Sequence, residues 1–276
     1  MSESTAHPDG QIPPVLLVGC GRMGSAMLAG WRETGLAASV VVDPAESARR
    51  LAGPDLTVVG SAAEIQDSFR PAAVILAVKP QVAAEVVPSF GRYADGSVFL
   101  SIMAGRTTAG LSALLGGGAA IVRAMPNTPA AIRRGVSVAY PTAGVSAAQR
   151  SLADRLLQAI GKVSWVEDEG LLDAVTAVSG SGPAYVFLLA ELMEQAGIRQ
   201  GLPAELARLL ARETVAGSGA LLAASPESAA QLREAVTSPG GTTAAALKVL
   251  MDRTAWPETL NTAIQAATNR SRELAG

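Results

Sequence analysis

The stretch VLLVGCGRMGSAMLAGW, Val15–Trp31, decides the fold. Four apolar residues run directly into Gly19-Cys20-Gly21-Arg22-Met23-Gly24, and a helix-like text follows. A strand that turns through three glycines into a helix opens a dinucleotide-binding βαβ unit. Glycine serves the tight turn at Gly19, close approach of the main chain to a pyrophosphate at Gly21, and packing of helix on strand at Gly24. Val18 to Gly24 are therefore candidate cofactor-binding residues. The next strand, VVVD, ends on Asp43, placed to accept hydrogen bonds from a ribose diol and to repel a 2′-phosphate. Asp43 alone favours NAD over NADP. Arg49 and Arg50, about a helix turn later, either reach a phosphate or form a solvated face, so the choice between NADPH and NADH stays open here. Cys20 inside the turn reads as small-residue packing, because a thiolate beside a pyrophosphate is unfavourable.

Outward from this unit, from Pro14 to about Trp165, short β-branched runs alternate with helix-like text: VVVD, AVILAV, SVFLSI, AIVRAM and VSVAY. Such alternation predicts an α/β fold, a Rossmann-type doubly wound parallel sheet. Beyond about Leu171 the β-branched runs give way to Ala/Leu patterns, AYVFLLAELMEQAG and PAELARLLARETVAGSGALLAA, which predict an all-helical C-terminal domain. The boundaries expected are a flexible tail over 1–13, the dinucleotide-binding domain over 14–168, and the helical domain over 169–276.

Ligands of open α/β sheets bind at the carboxyl ends of the strands. Ala77, Val78, Lys79 and Pro80 stand at one such end, with Pro80 breaking the strand and starting a helix. Lys79 is either an exposed loop lysine or a ligand to ribose, carboxylate or water. SIMAG and RAMPNTPA end two more strands, and Asn127 between prolines is a turn former or a polar contact to the cofactor. In the helical half, VSGSGPAYV and VTSPGGTTAAAL each precede a helix. In the second, Ser238, Gly241, Thr242 and Thr243 bring amides and hydroxyls to one small volume, with Thr242 and Thr243 expected at the cap and first turn. A carboxylate fits there without an arginine, and an ordinary N-cap with a glycine turn is the plain alternative.

Composition removes several classes. One cysteine, Cys20, and one histidine, His7, leave no material for a Cys/His metal site or a histidine-based catalytic pair. No metal is expected. A net charge of −2 without a basic run gives no reason to expect nucleic acid or an anionic membrane as partner. Charged or polar residues interrupt every apolar run of roughly twenty residues, so no membrane span is expected. The first residues carry no signal-peptide pattern, and the compartment expected is the cytoplasm. With 49% apolar and only 17% charged residues, the chain has apolar surface to bury against another subunit.

The ordered set GCGRMG, AVKP, MAG, R-x-M-P-N-T-P, DAVTAVSGSGPAY and TSPGGTT resembles the pyrroline-5-carboxylate reductases from end to end. The resemblance implies hydride transfer from NADPH or NADH to the C=N bond of 1-pyrroline-5-carboxylate, giving L-proline. It also implies a helical domain that interlocks with a second copy into a homodimer, often built into a larger ring, with active sites between subunits. Carried over by position, Val18 to Met23, Val78, Lys79 and Ala104 hold the cofactor. Thr242 and Thr243 bind the substrate carboxylate, with Thr243 orienting the ring, and Glu169 contacts the ring or its amine. This chain departs from many members in carrying Ala235 before V-x-S-P-G-G, and Asp43-Pro44 where a pair ending in arginine follows the second strand. A hydroxyacid-type dehydrogenase of the same layout would need a lysine soon after Gly182, and none precedes Lys248. The alternatives kept are a reductase of another cyclic imino acid and a non-catalytic dinucleotide-binding dimer.

Overall fold

The computed structural model describes residues 11–275. His7 and most of the tail expected over 1–13 lie outside the described residues. For the rest of that tail the loose reading is corrected: Ile12 bridges to Leu36 and is buried in the core cluster that also holds Trp31. An apolar side chain with such a partner gains more from burial than it loses in ordering.

The sheet contains β1 (Val15–Val18), β2 (Ser39–Val42), β3 (Leu56–Val59), β4 (Ala73–Leu76), β5 (Val98–Ser101), β6 (Ala120–Met125), β7 (Gly135–Pro141) and β8 (Gly161–Trp165), in the order β3-β2-β1-β4-β5-β6-β7-β8. Every neighbouring pair is parallel except β6 with β7. The doubly wound class expected from the sequence is therefore observed, with one antiparallel step. That step follows from connection length: residues 126–134, which hold only the short 3-10 helix Thr128–Ile132, join β6 to β7, and a parallel crossover needs about a dozen residues or more.

The helices are α1 (Arg22–Thr34), α2 (Glu46–Arg49), α3 (Ala83–Val86), α4 (Thr108–Leu114), α5 (Ala147–Gln158), α6 (Leu171–Val175), α7 (Gly182–Arg199), α8 (Ala204–Ala224), α9 (Ala229–Ala235), α10 (Thr242–Leu250) and α11 (Trp256–Ala275). Strand side chains point alternately to two cores. Val15 and Leu17 join Met27 and Trp31 of α1 and Leu152 and Leu156 of α5, whereas Leu16 and Val18 join Val87, Phe90 and Leu111. The Trp31 indole donates to the Leu156 carbonyl at 2.9 Å, tying α1 to α5 on one face. With helices on both faces the central strands are buried throughout, which is why they read as continuous apolar runs.

By packing, the chain divides into two compact units, one running to Gly180 and resuming at Thr268, the other Ser181–Ala267. This division falls later than the boundary expected at 168/169, because α6 and the π-helical turn Thr176–Gly180 bury Leu172 and Ala177 within the first unit. In the same unit Ser271 donates to the Asp173 carboxylate at 2.7 Å. The second unit, Ser181–Ala267, is all helix, as its Ala/Leu text predicts. It leaves large apolar side chains uncovered, among them Phe187, Leu192, Leu209 and Leu222. The continuous helical run Leu171–Arg199 is long and apolar enough to cross a membrane by length and composition.

Candidate active site

Where the strand order reverses, between β1 and β4, a cleft of about 630 Å³ opens at the carboxyl edge of the sheet. Val18, Gly19, Gly21, Asp43, Ala77, Val78 and Lys79 line it, together with Gly60, Ser61 and Phe90. The structure thus gathers seven of the expected β1, β2 and β4 candidates in one place, while Cys20, Arg22, Met23, Gly24 and Pro80 are not among the lining residues. Each glycine has a physical reason. Gly19 has φ +90°, and a Cβ there would stand 2.8 Å from the Ala77 carbonyl oxygen. A Cβ on Gly24 would stand 2.4 Å from the Gly19 carbonyl oxygen, so α1 starts pressed onto the turn. At Gly21 a Cβ would meet nothing within 4 Å, which leaves bare main chain facing the cleft. Gly21 is also the N-cap of α1, with no side chain capping the first-turn amides. Open volume at uncapped amides suits a pyrophosphate, so the residues present fit a dinucleotide.

Asp43 is more constrained than the sequence suggests. One carboxylate oxygen accepts from the Cys20 amide at 2.6 Å and the other from the Ala45 amide at 2.8 Å. The Cys20 thiol lies 3.5 Å from the Ser25 hydroxyl. Burial pushes that thiol above its ordinary range; the Ser25 hydrogen bond opposes the rise in part, the nearby Asp43 carboxylate adds to it, and Arg32 opposes it least. A protonated thiol is poor as a nucleophile, in keeping with packing as its role. Arg22 and Met23 begin α1 away from the cleft lining. Lys79 precedes the turn that starts at Pro80, and the Pro80 carbonyl accepts two bonds from the Arg106 guanidinium, at 3.0 and 2.6 Å. Those bonds fasten the loop holding Ala104, which is itself exposed, to the end of β4. Asn127 does not face the cleft lining; its side-chain oxygen accepts from the Val136 amide at 2.9 Å and fixes the start of β7.

Glu169 sits in a small polar cluster that the sequence did not disclose. One of its oxygens accepts from the Thr108 amide at 2.8 Å and from Arg123 at 2.9 Å, and the other from the Thr108 hydroxyl at 2.7 Å. Three of about four acceptor positions on the carboxylate are thus in use. Arg123 is only 3% exposed, and its Nε and second terminal nitrogen have no partner among the described residues. The cluster braces the start of α4, directly after the Ala104–Gly105 loop. The signal available in the sequence was the arginine inside the otherwise apolar AIVRAM.

Ser238, Gly241, Thr242 and Thr243 lie in the second unit. Gly240 has φ +72°, the Gly241 amide donates to the Ser238 carbonyl at 3.0 Å, and Gly241 is the N-cap of α10. The cap expectation is corrected accordingly. Thr242 and Thr243 are the first two helical residues, because the extended backbone at Gly241, φ −79° and ψ 175°, already ends the turn. No side chain caps α10, so its first amides have no acceptor within the helix.

Comparison with known proteins sharpens this geometry. A family model described as pyrroline-5-carboxylate reductase dimerisation matches residues 169–274, and one described as NADP oxidoreductase coenzyme F420-dependent matches residues 14–105. The pyrroline-5-carboxylate reductase of Pseudomonas aeruginosa is 41% identical, over 95% of this chain and 97% of its own. This chain belongs to the pyrroline-5-carboxylate reductase family. The Haemophilus influenzae relative is 37% identical over 94% of this chain and 97% of its own. Among solved structures, the family member from Coxiella burnetii superposes with a TM-score of 0.87 at 32% identity, covering 95% of this chain and 98% of that one. The Plasmodium falciparum enzyme, solved with NADP bound, gives 0.81 at 27% identity over 95% and 98%. The uncovered apolar side chains of the second unit lie within the family's dimerisation region, which supports self-association.

Proposed function

We propose that this chain reduces the C=N bond of 1-pyrroline-5-carboxylate with NAD(P)H to give L-proline. The observation that carries the reading is the co-occurrence, in one chain similar to such reductases over nearly its whole length, of a bare glycine turn at the sheet switch point and an uncapped helix start at TSPGGTT. The nicotinamide cofactor, when bound, supplies the hydride. The chain's own residues bind and orient. Val18 to Gly24 hold the pyrophosphate against the start of α1, with Ala77, Val78, Lys79 and Pro80 along the β4 side and Ala104 at the loop beyond. Ser238, Gly241 and the amides and hydroxyls of Thr242 and Thr243 receive the substrate carboxylate, and Thr243 orients the ring.

A cyclic imine can enter already protonated on nitrogen, so the reaction requires no strong acid from the protein. Rate enhancement then comes from fixing the imine carbon at hydride distance. Glu169 acts mainly by holding Thr108 and Arg123, with one acceptor position left for a ring nitrogen. Asn127 acts by setting β7. On the same reading the enzyme works in the cytoplasm as a homodimer that builds into a larger ring, with 14–168 serving the cofactor and 169–276 the substrate and the partner subunit. Initial rates of NADH and NADPH oxidation with 1-pyrroline-5-carboxylate, with proline identified as product, test the function. Tight cofactor binding with no proline formed favours instead another cyclic imine or a sensor.

A further inference from the structure

We infer that Asp43, pinned from two sides by main-chain amides, makes this chain select NADH over NADPH. The inference rests on the dinucleotide reading of the cleft and adds the cofactor's identity to it. Asp43 ends β2 and lines the cleft beside Gly60 and Ser61, where the second strand of such a unit meets the adenine ribose. Its carboxylate cannot swing aside, because Cys20 and Ala45 each donate a main-chain bond to a different oxygen, at 2.6 and 2.8 Å. Each oxygen keeps a free lone pair, so a ribose hydroxyl can still donate to it. A 2′-phosphate has no proton to offer in that position and brings about two further negative charges against a fixed one.

Among the described residues, no cation lines the β2 side of the cleft to offset that repulsion. The two positions directly after Asp43 offer no free main-chain donor: Pro44 has no N–H, and the Ala45 amide is taken by Asp43 itself. The only cation among the residues lining the cleft is Lys79, which follows β4, on the far side of β1 from β2. Arg49 and Arg50, the rivals available in the sequence, are exposed and do not line the cleft. Arg49 acts electrostatically on Glu64. That second carboxylate is held at the Gly60–Ser61 lip by the Ser61 hydroxyl at 2.9 Å and the Gly60 amide at 3.4 Å, and these bonds keep it below the usual carboxylate range and ionised. The lip therefore presents two anions; Arg49 acts on one of them, and Arg92, the other cation near it, donates to the Ala62 carbonyl at 3.4 Å and lies over the Tyr93 ring.

The test is calorimetric binding to the full-length protein, with NADH, NADPH, ADP-ribose and 2′-phospho-ADP-ribose as titrants. No imine is present, so the outcome is independent of which substrate is reduced. Wild type is expected to bind NADH and ADP-ribose at least about tenfold more tightly than their 2′-phosphorylated counterparts. Asp43→Asn keeps an acceptor for Cys20 and removes the charge, and is expected to shrink that ratio severalfold. Equal or tighter binding of the phosphorylated ligands by wild type overturns the inference, and loss of that binding in Arg49→Ala would identify the arginine as the selector. A ratio unchanged in a folded Asp43→Asn protein also overturns it. Failure to bind any of the four would remove the dinucleotide reading and this inference with it.

Discussion

The two glycines that begin the phosphate turn are bare for opposite reasons, and substitution separates them. Gly19→Ala forces a left-handed φ and a 2.8 Å approach to the Ala77 carbonyl, and should destabilise the protein by about 2 kcal/mol or more in denaturant unfolding. Gly21→Ala meets no atom within 4 Å, so the thermal midpoint should hold while NADH affinity falls about tenfold or more, because the new methyl occupies the ligand's side of the turn. Equal effects of the two on stability would mean that Gly21 is only a turn residue. Glu169 offers the second test at this scale. Arg123 is 3% exposed and has two nitrogens without a partner among the described residues, so Glu169→Ala would strand a buried cation and cost about 3 kcal/mol in urea unfolding. A loss within experimental error would deny the cluster a bracing role. Residue types at these places were legible in the sequence, and partners were not. Asp43 could be placed at a strand end, but its two amide donors come from Cys20 and Ala45 only once the turn has closed. Arg123 could be seen as odd in AIVRAM, yet its partner lies 46 residues away.

Among elements, the strands missed in the sequence are the two edges, β3 and β8. Edge strands are half exposed, so LTVV and GKVSW lack the unbroken apolar text of the centre, and Lys162 and Ser164 dilute the second. The buried strands of the centre were legible for the same reason in reverse. The start of α10 was placed one residue late, since Thr is the better cap by type while the extended backbone of Gly241 takes the position. This geometry yields a prediction. Proline is tolerated at the first helical position, and the extended Gly241 suits a residue before proline. Thr242→Pro should therefore leave the thermal midpoint nearly unchanged and raise KM for the imino acid about tenfold, through loss of one amide donor. Thr242→Val, which keeps that amide, serves as the control. If both variants raise KM equally, the hydroxyl and not the main chain holds the carboxylate.

At the scale of the whole molecule, the helical half exposes more apolar surface than a lone subunit tolerates, with Phe187 at 67% and Leu209 at 56% exposure. The run Leu171–Arg199 has enough length and hydropathy for a membrane span, but it also lies in the region matched by the family's dimerisation model. A second copy accounts for both. Phe187→Glu combined with Leu209→Glu should move the protein from dimer or larger to monomer in light scattering, and an unchanged mass would place the interface elsewhere. Composition pointed to a partner through its low charge, but the faces to be covered could be named only once the helices were placed. The central claim is hydride transfer to an imine carbon, and isotope transfer tests it most directly. Reaction of the full-length protein with 1-pyrroline-5-carboxylate and cofactor deuterated at the transferring position of C4, analysed by mass spectrometry, should give proline one mass unit heavier with the label at the former imine carbon. Cofactor oxidation without labelled proline, or binding without oxidation, would contradict the account.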